Sequence, residues 1–309
     1  MPPDISIYQP FYKPGLLERL DRGFVALDWM ANPEPAKREL ALHEHILNSR
    51  LYEQSRLTGV LSPKFFAKTN LHSAQVYEWI SCNPGYDIYL ISGTPFVPYA
   101  NWNTIERNNG QTRTFEIRMR SLCRQIGLPL SEPFGRQTNA NCCSCNYWIA
   151  SPGFWERWGR DVVRPLGELS RGEDSLFASA NYAAPASPVY LLTLIYERLI
   201  DHYISHYGIK ALYYPWAAES ILTLTYHPSI KKYLDEMVPL VDAIDARGLW
   251  TEPEKAWLRE RYAAVSLGFA PAETLSADET DHDLPRRSPN ARGSAIERLN
   301  RDRLDTAPA

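Results

Sequence analysis

Residues 139–151, Asn-Ala-Asn-Cys-Cys-Ser-Cys-Asn-Tyr-Trp-Ile-Ala-Ser, set three cysteines beside an apolar run. Thiolates ligate metals and exchange disulfides, so Cys142, Cys143 and Cys145 are the first chemistry the chain offers. A tetrahedral zinc site takes four ligands, often as two C-x(2–4)-C pairs, and no second pair or nearby histidine completes this set. Cys142 to Cys145 has the C-x-x-C form, but the redox version opens a helix after a strand, whereas these residues lead into a strand. Small buried side chains are therefore the expectation for them. A second candidate is Arg171-Gly-Glu-Asp-Ser-Leu-Phe177. Adjacent carboxylates at the start of a helix are kept ionised by the positive end of its dipole, as a general base would need, and a plain N-terminal cap explains the pair equally well. The seven histidines are scattered, and His43 and His45, two apart, point different ways on a helix.

Several chemistries lack their signatures. There is no G-x-S-x-G, no G-x(4)-G-K-[ST] and no G-x-G-x-x-G after the first strand, which removes most support for hydrolase, P-loop and dinucleotide-binding readings. With 33 basic and 36 acidic residues well mixed, and a net charge of -3, no nucleic-acid footprint is present. No apolar run is long enough to span a bilayer. The N-terminus lacks the basic-then-apolar pattern of a secretory signal, and five cysteines, an odd number, fit a reducing compartment, so a cytoplasmic location is expected.

The elements that must position these residues read as an α/β chain. Residues 4–9 form a first strand, and a helix is expected through Leu16, Leu17, Leu20 and Phe24. A second helix follows over about 36–54, then a strand at 58–62 and a helix capped by Ser73. The continuous apolar run 86–92 predicts a buried strand. Residues 93–110 show no period and are expected to be a long loop, functional or mobile rather than idle. A helix over 111–127 precedes the quoted stretch, whose end at 147–150 suits a central strand, with Pro152 opening the next helix. A long helix at 189–207, a last strand at 209–214 and helices at 217–246 and 252–267 complete the ordered part. Beyond residue 270 few large apolar groups remain, so 271–309 is expected to be a disordered tail.

Taken together, "IYLISGTPFV" (88–97), "NYWIASPGFWERW" (146–158) and "GEDSLF" (172–177) resemble the glycosyltransferase A fold. More narrowly, "TGVLSPKFFAKT" (58–69), "NPGYDIYLIS" (83–92) and "CNYWIASPGFWERW" (145–158) resemble a group of bacterial cell-surface polysaccharide glycosyltransferases. The resemblance covers roughly residues 4–215. It implies a Rossmann-like mixed sheet flanked by helices over 1–215, with a helical C-terminal annex over 216–270. It also implies transfer of a sugar from a nucleotide-sugar donor to a glycan or lipid-linked glycan acceptor, with no separate cofactor. One departure matters. Metal-dependent members of that fold end the strand in D-x-D, whereas this chain reads Ile91-Ser92-Gly93, and Asp87 stands at the opposite end of the strand, about 16 Å away.

Without a cation, charge on a leaving phosphate must be met by basic side chains or backbone N–H groups. Arg38, Lys64 and Lys68 lie near expected element ends and could serve, and solvated surface charge is the other fate open to each. By the resemblance, Asp174 takes the proton of the acceptor hydroxyl and Glu173 beside it binds the acceptor. The remaining candidates for substrate contact are Tyr8, Gln9, Ser62, Ser92, Asn101, Trp102, Asn146, Tyr147 and Trp148. "NYW" would bring Asn146 and one aromatic face to the C-terminal end of a central strand, where open α/β sheets bind ligands, while burial of both rings is the competing expectation. A peripheral contact with the inner face of the membrane fits a lipid-linked acceptor, although no strongly basic amphipathic helix is present. The alternative function is a non-catalytic carbohydrate- or partner-binding protein of a polysaccharide assembly system.

Overall fold

A computed structural model describes residues 4–111, 114–130, 134–171, 191–224 and 228–266. In chain order the elements are β1 (Ile5–Phe11), α1 (Pro14–Leu17), β2 (Val25–Asp28), α2 (Glu39–Asn48), β3 (Leu57–Val60), α3 (Phe65–Thr69), α4 (Ser73–Cys82) and β4 (Ile88–Leu90). Then follow α5 (Thr104–Gln111), α6 (Phe115–Gln125), β5 (Trp148–Ala150), α7 (Pro152–Trp158), α8 (Arg164–Ser170), α9 (Leu191–Tyr207) and β6 (Ala211–Tyr213). Helices α10 (Ala218–Thr223), α11 (Pro228–Ala246) and α12 (Glu252–Ser266) close the described part.

The strands form one sheet in the order β2-β1-β3-β5-β4-β6. All run parallel except β5, which pairs antiparallel with both β3 and β4. Side chains alternate across the pleat, so the central strands feed two cores, whereas the edge strand β2 gives only Leu27 to one of them. Tyr8, Val60, Ile88, Leu90, Trp148 and Ala150 join one core with residues of α2, α6, α7, α8 and α9. Ile7, Leu57, Tyr89, Tyr147 and Ile149 join the other with α3, α4, α10, α11 and α12. Burying a side chain such as Leu40 or Ile46 contributes about 1.5–3 kcal/mol each, and such groups recur on both faces. The fold is thus a three-layer, Rossmann-like mixed sheet, as expected. The helices of the annex complete one face of it, since Leu234, Met237, Val241 and Leu258 share a core with Ile7 and Tyr89.

Three local expectations are corrected. The helix through Leu16, Leu17, Leu20 and Phe24 stops at Leu17, and Val25–Asp28 instead pairs with β1 as an edge strand. Residues 93–110 are not an irregular loop, because a short 3₁₀ turn at Val97–Tyr99 and α5 lie within them. The cap of α4 is His72 rather than Ser73, with Gln75 reaching back to the His72 N–H. Between α7 and α8 a wide turn, Gly159–Val163, brings α2 very close: a Cβ on Gly159 would stand 2.7 Å from a Leu47 methyl. The expected tail lies outside the described residues.

Candidate functional site

The reversal of β5 decides what meets at the C-terminal edge of the sheet. Trp148 pairs with Leu90 and Ala150 with Ile88, and the Ile91 N–H donates to the Tyr147 carbonyl at 2.8 Å. Residues 142–147 therefore enter the sheet where β3 and β4 end. Asn146 therefore precedes its own strand rather than following it, at the edge where β3 and β4 end. Gly93 makes this crossing possible, because a Cβ there would lie 2.8 Å from Cys145 Sγ and 2.9 Å from the Tyr147 ring.

Four cations collect on this edge. Lys13 follows β1, Lys64 follows β3, Lys68 lies on α3 and Arg38 opens α2. Loss of water lowers the Lys64 pKa first, and Lys68, Arg38 and Lys13 lower it further, against an opposing pull from Glu39. Lys68 is exposed along its stem, yet its ammonium turns inward, 3.7 Å from Cys145 Sγ and 5.6 Å from the centre of the Tyr147 ring. Cys145, then Tyr147, raise its pKa. Arg38 sits at φ 48°, ψ -122°, a conformation that costs a non-glycine residue about 1–3 kcal/mol and clusters at functional sites.

Acidic groups stand on the other side. Glu197 of α9 accepts from Arg198 Nη1 at 3.1 Å, and Arg198 Nη1 also donates to the Ser144 carbonyl, tying α9 to the loop before Asn146. Burial raises the Glu197 pKa, Arg198 opposes it, and Glu39, Lys68 and Arg38 lie near enough to act on it. Asn146, next after Cys145 in the chain, is 3% exposed, and neither Nδ2 nor Oδ1 has a hydrogen-bond partner. A buried amide with both ends unpaired is costly, and a ligand would satisfy it.

The loop is held from behind. Asp201 accepts from the Cys143 N–H at 2.9 and 3.0 Å, from Gln137 Nε2 at 2.9 Å and from the Tyr213 hydroxyl at 3.0 Å. Burial carries its pKa up to about 7. Burial also pushes up the thiols of Cys142 and Cys143, and all five cysteines are free, with only Cys82 exposed. The cysteines of the quoted stretch pack the loop.

The structure thus brings Arg38, Ser62, Lys64, Lys68 and Tyr147 together, with Asn146 preceding Tyr147 in the chain and Ser92 preceding Gly93. Ser62 Oγ accepts from the Lys64 N–H at 3.1 Å, and the Ser62 carbonyl accepts from Gln9 Nε2 at 3.1 Å. Gln9 also accepts from the Asp21 N–H at 3.1 Å, so it supports the loop rather than facing a ligand, and Tyr8 is buried in a core. Trp148, a candidate for substrate contact, is 1% exposed and packs on His43, Phe154 and Trp155, so with Tyr147 at 2% both rings are buried, which is the competing expectation. Tyr147 is buried against Phe65. Trp102 is committed to the annex, with Trp250 at 5.6 Å, Lys255 at 4.8 Å and Arg136 at 5.8 Å. Asn101 is buried with Nδ2 unpaired. Glu173 and Asp174 lie outside the described residues. Lys13 and Glu197 were missed from the sequence; only the spacing of Glu197 and Asp201, one helical turn apart, hinted that α9 carries polar groups inward.

No family model and no curated protein matches this sequence. Among solved structures, one similar chain is the apo structure of the WbbM bifunctional glycosyltransferase, at 15% identity and a TM-score of 0.41, covering 67% of this chain. This chain spans 44% of that one, under half its length.

Proposed function

We propose that the protein transfers a sugar from a nucleotide-sugar donor to a hydroxyl of a cell-surface polysaccharide or lipid-linked glycan, by inversion and without a resident metal. The observation that supports this most is the meeting of Lys13, Arg38, Lys64 and Lys68 at the edge where the segment leading into β5 enters the sheet, Lys68 reaching Cys145 Sγ. A nucleoside diphosphate leaving group gains negative charge as its bond to the anomeric carbon breaks. Preorganised cations in a partly dehydrated edge meet that charge without having to reorganise. The end of β4 offers Ile91, Ser92 and Gly93 where the resembled fold has metal-binding carboxylates, which fits charge neutralisation by side chains.

In this reading the acceptor oxygen gives its proton to Asp174, with Glu173 binding the acceptor, and forms the new bond on the face opposite the departing diphosphate. Asn146 pairs with hydroxyls of the sugar. The acceptor is reached from the inner face of the membrane; no helix of the described residues is long and apolar enough to cross it. The test is a panel of nucleotide sugars with glycan acceptors, followed by mass spectrometry with and without a chelator. Transfer that survives the chelator and disappears in Asp174→Asn and Lys64→Gln supports the proposal. Glycan binding with no turnover of any donor would replace it with the non-catalytic reading.

A further inference from the structure

The end of β4 carries polar groups that the four cations do not explain. Ser92 Oγ lies 3.0 Å from Ser144 Oγ, and the Thr94 hydroxyl bonds to the same Ser144 oxygen. Arg107, on α5, points Nη1 at Thr94 Oγ1 at 3.5 Å, with its guanidinium 5.4 Å from the centre of the Phe96 ring. Its Nε is buried and has no hydrogen-bond partner. The neighbouring carboxylate is turned away, since Glu106 is held by Arg259 at 2.8 Å and by the Trp102 N–H at 3.2 Å. No other described carboxylate forms an ion pair with Arg107. Asn146, two residues beyond Ser144 in the chain, is 3% exposed with both amide atoms unpaired.

A guanidinium taken partly out of water without a counter-charge is costly, and its planar fork of donors matches an oxyanion. Three hydroxyls that bond to one another can each turn and donate to a ligand oxygen instead. We infer that Arg107, with the hydroxyls of Ser92, Thr94 and Ser144, is a phosphoryl subsite at the end of β4. This rests on the proposed sugar transfer and deepens it: one phosphate of the donor sits on Arg107 and the hydroxyls, while the other meets Lys64 and Lys68 across Cys145.

Binding of inorganic pyrophosphate to the full chain, measured by calorimetry, tests the subsite apart from catalysis. Arg107→Gln is expected to weaken pyrophosphate at least tenfold, Arg107→Lys to restore part of the loss, and Ser144→Ala to weaken it severalfold. Acetate should bind weakly to every variant, whereas acetate as tight as pyrophosphate would overturn the phosphoryl assignment. Pyrophosphate binding to Arg107→Gln within twofold of the unaltered protein, or none to the unaltered protein, would also overturn it. If circular dichroism shows Arg107→Gln unfolded, Arg107→Lys and Ser144→Ala decide on the same criteria. Pyrophosphate binding that needs Arg107, in a protein that turns over no nucleotide sugar, leaves the subsite standing and removes the transferase reading. Turnover with an unchanged KM in Arg107→Gln does the reverse.

Discussion

Replacing Asn146 by leucine should make the protein more stable and less able to bind. Leucine has nearly the shape of asparagine, with two branches on Cγ, so the 3% exposed site accepts it without a cavity. Both branches of the asparagine end in polar atoms with no partner, and each such buried atom costs about 1–3 kcal/mol. Removing the pair should stabilise the unliganded protein by about 2–6 kcal/mol, and at about 2–4 °C per kcal/mol for a large domain Tm rises by at least about 4 °C. Urea denaturation and calorimetric unfolding of Asn146→Leu measure this directly. The same substitution leaves sugar hydroxyls facing methyl groups, so affinity for a donor sugar falls at least tenfold. A fall in Tm would refute the reasoning, because it would mean the amide is satisfied inside the protein and serves the fold. Higher Tm with unchanged ligand affinity would remove Asn146 from the site while keeping the stability argument.

Other outcomes follow from the same structure. His43 is fully buried, bonded to the Tyr196 hydroxyl, and burial lowers its pKa from 6.5 to about 3. The stability it contributes is present above pH 6.5 and is lost as pH falls toward 3, by about 1.4 kcal/mol per unit. Asp201 acts in the opposite sense: its pKa is raised from 3.8 to about 7, so its contribution is present below 3.8 and is lost as pH rises through 7. Between pH 6.5 and 4 these slopes oppose each other, so relative to the unaltered protein His43→Gln should gain about 1.4 kcal/mol per unit as pH falls. Parallel urea-midpoint curves for the two proteins would contradict this. Arg38→Gly should relieve backbone strain and add about 1 kcal/mol of stability while weakening pyrophosphate severalfold, read by urea titration and calorimetry. Gly93→Ala should cost about 1–3 kcal/mol in the same titration, because its methyl meets Cys145 and the Tyr147 ring, and should depress turnover.

The sheet was legible where burial follows chain-local pattern. The run ending at Leu90 and the alternation of Tyr147 and Ile149 with Trp148 and Ala150 marked β4 and β5. Strand β2 was not legible, because Leu16, Leu17, Leu20 and Phe24 imitate a helical stripe and only pairing with β1 breaks it. Helix α5 was hidden for a similar reason: Ile105 is its one large apolar residue, so Thr-Ile-Glu-Arg-Asn-Asn-Gly-Gln shows no period. Arg38, Lys64 and Lys68 could be nominated from their places at element ends. Lys13, Glu197 and Arg107 could not, because their relation to those groups is made by strand order and by the antiparallel turn of β5, neither of which leaves a mark in local sequence. Trp102 and Trp148 both stood as candidates for substrate contact, each in a stretch that holds asparagine. The annex covers one and α7 covers the other.

Cys82 closes α4 just before β4 begins, so the only exposed thiol of five lies at the far edge of the sheet from the cations. That geometry supplies a ready attachment point. A maleimide dye or surface tether coupled there would hold the molecule by its back, leave the edge that carries the cations turned toward solution, and require no cysteine to be engineered in or out.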